Sequence, residues 1–418
     1  MRRSFRDVLS TEVIPGRLVR RLPGGRRGAA LPVVLIVVAV MTTVVVQFVH
    51  DTRTNLHMAA NVRDEVRAYY NAKAGMDLAR LSLGAQAMID AFAGKMNIQV
   101  WQYVNQVMGM FAAARVDTPI AAIDLSEIKG LGGMKGNFEV EIVPEDGKIN
   151  LNALGGTKTA RNAAITALSF LMTPAQHQGM FEQRDSTGNF NDIPELIASM
   201  IDWIDKDEQL TNMDGDGNYK QGGGSGESSR FGGFDVETEP RNSKFDTVQE
   251  IHMIKGIGDD WWDAFGEGLT VYPSTKINVN TAPPLLLAVV ICTHLANPND
   301  PFCDPSNPLP LISLVTNIDN YRTIMRTYLY STPFATKKRF TDFVRAGGDA
   351  TGVLANTPFA PIVEPAVINP RAMNKAIEVK SPKVYKIIAK GRIGNTIKTL
   401  TAVVDISKKG RLYYWREF

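Results

Sequence analysis

The side chains of this chain best suited to chemistry are the acids between positions 202 and 227. Asp202, Asp205, Asp207 and Glu208 precede Asn212-Met213-Asp214-Gly215-Asp216-Gly217, and Glu227 lies beyond. Hard carboxylate oxygens on a glycine-rich loop suit Ca²⁺, and the candidate ligands are Asp205, Asp207, Glu227, Asp214 and Asp216. Asn212, Asp214, Asp216 and Gly217 match the first half of an EF-hand loop, but the twelfth position is Gly223, where that loop needs a glutamate. An EF-hand is therefore not expected. The alternative is an acidic loop solvated by water.

Other chemistry finds no constellation. His50, His57, His177, His252 and His294 are scattered, and there is no HExxH pair, nucleophile elbow or P-loop, so no catalytic residues are expected and the chain does not read as an enzyme. Asp246–Ile251 followed by Lys255-Gly256-Ile257-Gly258 is similar to a helix–hairpin–helix, whose turn can hold a DNA phosphate. Asp259, Asp260, Asp263 and Glu267 flank it and would repel one, so the turn reads as packing.

The segment that must position everything else is Leu31 to Val49, an apolar run without a charge. Nineteen residues at ~1.5 Å each span about 28 Å, the thickness of a bilayer core. Eight arginines and only Asp7 and Glu12 precede it, which places residues 1–28 on the cytoplasmic side and the rest outside the cytoplasm. A cleaved signal peptide would need small residues after the run, and Gln47-Phe48-Val49-His50-Asp51 offers none. From His50 to Leu83 apolar residues recur three or four apart without a proline, predicting that the spanning helix continues as an amphipathic one.

The net charge of +3 comes from the leader, since removing residues 1–28 leaves about −3, which argues against general nucleic-acid binding. Cys292 and Cys303 would face the oxidising side, which favours a disulfide closing the Pro- and Asn-rich loop between them; two free buried thiols are the alternative. Residues 85–125 read as helical, and strands are expected at 137–143, 148–152, 383–392, 397–407 and 411–416. Between them lie a helical stretch over 158–202, a Gly/Ser-rich loop over 212–234 and mostly helices from 246 to about 350. Strands enclosing a long helical insertion make an α+β arrangement. The phrases Lys148-Ile149-Asn150-Leu151-Asn152 and Lys276-Ile277-Asn278-Val279-Asn280 are alike, and each precedes a helical segment.

Arg27-Gly28-Ala29-Ala30-Leu31-Pro32-Val33, the stalk phrases Ala60–Asp64 and Ala68–Gly75, and the paired phrases above resemble the K-type minor pseudopilin of type II secretion systems, over about residues 26–418. The resemblance implies a fold in which a pilin-like long N-terminal helix packs on an antiparallel sheet, with a large inserted domain of two SAM-like helical units. The implied domains are a cleaved leader (1–28), a transmembrane and stalk helix (29–84), the first part of the head (85–152), the insertion (153–380) and the closing strands (381–418). Prepilin peptidase would cut between Gly28 and Ala29, leaving a methylated mature end. The fifth mature position is Val33, where pilins usually carry a glutamate, and its loss suits a subunit at the tip with no neighbour above. Implied partners are the I-type and J-type minor pseudopilins and secreted proteins, at the bacterial inner membrane with the head in the periplasm. Calcium is bound in the inserted domain of that family, and Asp202-Trp203-Ile204-Asp205-Lys206-Asp207 with Glu227 resembles the segment that binds it. The family's Pro-Pro-Tyr stretch is here reduced to Glu239-Pro240-Arg241-Asn242. A minor pilin of a type IV pilus or DNA-uptake machine is the other reading that the stalk allows.

Overall fold

The computed structural model describes residues 30–92, 137–181, 192–213, 219–231, 239–273, 276–304, 306–329, 331–355, 357, 361–408 and 410–418. The chain divides into two units, residues 1–63 and 64–418.

Helix α1 (Ala30–Phe92) begins in the first unit, where its apolar residues 31–49 are exposed and long enough to cross a membrane. Pro32 falls in the first turn, which needs no N–H from it. The hydroxyls of Thr42 and Thr43 donate to the carbonyls of Val38 and Ala39, at 2.7 and 2.9 Å. Their polarity is thus satisfied inside the helix, as lipid would require.

In the second unit α1 buries Ala68, Ala72, Met76, Ala79 and Leu83 at steps of three or four residues. The strands here are β1 (Asn137–Pro144), β2 (Ile149–Asn150), β3 (Gln209–Met213), β4 (Tyr219–Gly226), β5 (Leu269–Thr270), β6 (Ile277–Asn278), β7 (Ile377–Glu378), β8 (Val384–Ile393), β9 (Thr396–Asp405) and β10 (Arg411–Glu417). β1, β8, β9 and β10 form an antiparallel sheet in that order. Its Val140, Tyr385, Ile387, Ala389, Leu400, Ala402 and Val404 pack with the buried stripe of α1. Gly391 makes the approach possible: a Cβ there would collide with the Ala68 carbonyl and the Ala72 amide. The β8–β9 hairpin turns on Gly394-Asn395, with Gly394 at φ +54°.

The insertion between β1 and β8 repeats one design. In the first repeat β2 leads into α2 (Lys158–Met172), the one-turn α3 (Gln178–Phe181) and α4 (Ile193–Ile204), the β3–β4 hairpin and the one-turn α5 (Ser228–Phe231). Phe245-Asp246-Thr247 then caps a 3₁₀ turn, Gly256 takes φ +89°, and α6 (Asp259–Phe265) delivers β5 in parallel beside β2. In the second repeat β6 is followed by α7 (Pro284–Cys292) and α8 (Leu309–Thr327). Phe334-Ala335-Thr336 caps α9 (Lys337–Ala346), Gly347 takes φ +72°, and α10 (Pro370–Ala376) delivers β7 in parallel beside β6. One large core runs through both repeats.

The mixed α+β class and the closing meander agree with the sequence reading, and four of its details are corrected. The strand at 148–152 shrinks to β2, which leaves the main sheet because its backbone bonds go to β5. The helix expected over 158–202 is not continuous among the described residues: it stops at Met172, before Pro174, and α4 starts at Ile193, capped by the Asp192 carboxylate on the Glu195 amide. The Gly/Ser-rich stretch contains a strand pair, β3 with β4. The helix of the stalk runs past residue 84 to Phe92, and the boundary between units falls inside it, at 63/64. The remainder of the helix expected at 85–125 lies outside the described residues.

Candidate metal centre

α4 is apolar on nearly every side, and its last turn carries the acids. Asp202 and Asp205 stand three residues apart, on one face of a helix end. The β3–β4 hairpin folds back on that end and delivers Glu227 immediately after β4. Carboxylate oxygens of Asp202, Asp205 and Glu227 all lie within 4.8 Å of one another, and all three residues are buried.

The three carboxylates are not equivalent. Asp202, which is 0% exposed, accepts the Thr211 amide on Oδ1 at 3.0 Å and is paired with Arg230 through Oδ2. Arg230 also chelates Glu195 with Nε at 2.8 Å and a terminal nitrogen at 3.0 Å, and donates to the Thr211 carbonyl at 2.8 Å. The guanidinium thus neutralises Asp202 and ties α4, β3 and α5 together. Both oxygens of Asp205 and both of Glu227 are buried and meet no hydrogen-bond donor. Burial, then the neighbouring Asp207 and Asp202 charges, raises the Asp205 pKa. Burial, then the charges of Asp205 and Asp202, raises that of Glu227.

Two buried carboxylates side by side, relieved only in part by the Arg161 charge that acts on Asp205, cost several kcal/mol when both are ionised, on the order of the penalty for any desolvated ion. A divalent cation would balance that pair of charges and could take one oxygen from each of the three residues, so the donor set fits a hard metal ion. A site of this kind would pin the hairpin to the end of α4.

No family model matches the chain, and no curated protein does. A chain in the crystal structure of the GspK-GspI-GspJ complex from the enterotoxigenic Escherichia coli type 2 secretion system is similar at 12% identity and a TM-score of 0.46. The match covers 88% of this chain and 99% of that one.

Of the ligands expected from sequence, Asp205 and Glu227 converge. Asp207 is outside the group of three: it is half-buried, and its Oδ1 accepts the Gln209 amide at 3.0 Å. Asp214 and Asp216 lie outside the described residues, as do Gly28 and Ala29 at the expected processing junction. Val33 is exposed on the first turn of α1. Asp202 was not among the expected ligands, although its three-residue spacing from Asp205 on a helical pattern could have pointed to it. Arg230 and Glu195 carried no sequence signal, because their meeting depends on the hairpin's return.

Cys292 and Cys303 are joined by a disulfide, with Cα atoms 5.8 Å apart. The histidines described do not gather: His177 packs on Phe265, His252 on Trp262, and His294 Nδ1 lies 2.9 Å from the Val290 carbonyl.

Proposed function

We propose that this chain is a minor pseudopilin of a type II secretion pseudopilus, a structural subunit anchored in the bacterial inner membrane and set at the tip of the fibre. The observation that supports it most is the double use of α1. One unbroken helix supplies the uncharged run 31–49 and, from Ala68 onward, the rod on which the sheet is built. A detachable anchor would not need to be part of the head's core. A subunit drawn out of the membrane into a bundle of like helices does.

On this reading prepilin peptidase cleaves between Gly28 and Ala29, the new end is methylated, and the head stands in the periplasm. With Val33 in place of an acid, the mature end offers no carboxylate to the amino terminus of a neighbour, which suits a terminal position. The partners are the I-type and J-type minor pseudopilins, and secreted proteins meet the head. The insertion makes that head bulky for a repeating lattice.

The same reading assigns Ca²⁺ to Asp202, Asp205 and Glu227. The ion would supply fixed positive charge that clamps the hairpin to α4; Arg230 holds Asp202 in place, and Asp205 and Glu227 present buried oxygens that the rest of the fold leaves without hydrogen bonds.

Mass spectrometry of the chain purified from cells with and without prepilin peptidase tests the proposal. The expected mature residue is Ala29, carrying a methyl group. Material that still begins at Met1 in both strains would overturn it.

A further inference from the structure

β10 lies at one end of the sheet order, and none of the described strands pairs with its outer edge. Phe418 and Thr399 exchange both backbone hydrogen bonds, at 2.9 and 3.2 Å. In an antiparallel ladder the next residue along is not bonded to its opposite number, so Glu417, facing Leu400, and Trp415, facing Ala402, turn their N–H and C=O groups outward. The irregularity between Leu412 and Tyr414 ends this regular stretch.

The side chains on that edge are equally specific. Leu400 and Ala402 belong to the core beneath the sheet, so Trp415 and Glu417 project to the same side as α1. There a groove of about 430 Å³ opens between β9, β10 and α1, walled by Val66, Tyr69, Tyr70 and Leu400. Tyr70 is 58% exposed and Trp415 is 36% exposed. Glu65 at the groove is matched by Lys398 at 2.5 Å. Glu417 is not matched: it accepts from Trp415 Nε1 at 2.9 Å and Tyr69 Oη at 3.5 Å, and no Lys or Arg among the described residues pairs with it. An apolar edge with free backbone groups invites another strand.

We infer that this edge binds an extended segment of a partner protein, added antiparallel to β10, with a basic side chain opposite Glu417 and an aromatic one opposite Trp415. Read from its own N-terminus the segment is therefore basic–x–aromatic. Main-chain bonds to Trp415 and Glu417 supply the register, the aromatic side chain covers Trp415, and the basic one neutralises Glu417 at the groove. This inference concerns the head alone and holds whether or not the chain belongs to a pseudopilus.

The test uses the full chain in lipid nanodiscs and cyclic β-hairpin peptides whose free strand reads Lys-Thr-Trp or Glu-Thr-Trp. The Lys peptide is expected to bind and to slow hydrogen exchange at the Trp415 and Glu417 amides. Glu417→Lys, an exposed change that leaves the core untouched, is expected to weaken the Lys peptide by about tenfold and to favour the Glu peptide instead. Failure of the Lys peptide to bind, equal binding of both peptides to the unaltered chain, or protection elsewhere would overturn the inference. So would self-association of the chain that protects the same two amides, which would assign the edge to a second copy.

Discussion

Asn152 and Asn280 close the two repeats of the insertion with the same three hydrogen bonds. The Asn152 amide donates to the Phe245 and Val271 carbonyls at 3.0 and 2.8 Å and accepts from the Phe245 amide at 2.8 Å. The Asn280 amide donates to the Phe334 and Val379 carbonyls at 3.0 and 2.9 Å and accepts from the Phe334 amide at 3.0 Å. Each is preceded by a second asparagine, Asn150 or Asn278, whose side chain accepts the amide two residues on. Each side chain therefore stitches the start of a repeat to its middle and its end. Replacement by alanine would leave three backbone groups without partners. Asn280, 0% exposed, has no water to substitute, so Asn280→Ala is expected to cost about 3 kcal/mol and Asn152→Ala, half-buried, about 1–2 kcal/mol. Urea unfolding of the two variants beside the unaltered chain measures the difference.

That pairing was legible as two similar phrases, because in each a lysine and an isoleucine precede two asparagines at the same spacing. What it does was not legible. The partners of Asn152 lie about a hundred residues away, and strands of two residues leave no alternating pattern to read. The long helix, the closing meander and the mixed class were readable from strong periodicity and from turns such as Gly394-Asn395. The acidic site was half readable. Asp205 and Glu227 stand among the five acids expected as ligands, with nothing in the pattern to set them above Asp207, whereas Asp202 sits on a helix so apolar that its position reads as core, and Arg230 reaches it only through the hairpin's fold.

Gly391 sets how closely the sheet lies on α1. Gly391→Ala is expected to push β8 away from Ala68 and Ala72 and to lower the stability of the head by about 1–3 kcal/mol. Ala389→Gly, two positions along the same strand, keeps the approach and supplies a control for strand propensity. Thermal unfolding followed by near-ultraviolet circular dichroism separates the two. Equal losses would mean that the close approach contributes nothing.

The disulfide closes an eleven-residue separation between the end of α7 and the 3₁₀ turn at Pro301–Cys303. A loop of this size restricts the unfolded chain by about 3 kcal/mol in the chain-entropy account. Cys292→Ser with Cys303→Ser is expected to lower the unfolding midpoint in non-reducing buffer. The same drop should follow from adding reductant to the unaltered chain, and reductant should not affect the double variant.

Removal of the ligands should separate binding from folding. Asp205→Asn with Glu227→Gln removes both buried acids and keeps the shape of the site, so the apo head is expected to hold or gain stability. Calorimetric Ca²⁺ binding should disappear in the same variant. Arg230→Met acts oppositely: it strands Asp202 without its counter-charge and is expected to cost about 3 kcal/mol or more in the absence of metal.

The pH dependence of the metal-free head follows from the direction of the two shifts. Burial raises the pKa of Glu227 and of Asp205 in the folded state, so the folded state holds protons that the unfolded chain has already released. Stability from these groups is therefore fullest at low pH and falls as pH rises from the unfolded value of about 4 toward the raised folded value. Glu227→Gln cannot release that proton. Relative to the unaltered chain it should gain stability steadily between about pH 5 and pH 8, by about 1–3 kcal/mol at the upper end, and show little difference at the lower end. Adding Ca²⁺ to the unaltered chain should erase the gap, because the ion balances the charge that deprotonation leaves. Parallel urea titrations across that range, with chelator and then with Ca²⁺, test the sign. A gap that is independent of pH would show that the glutamate is already relieved by another partner.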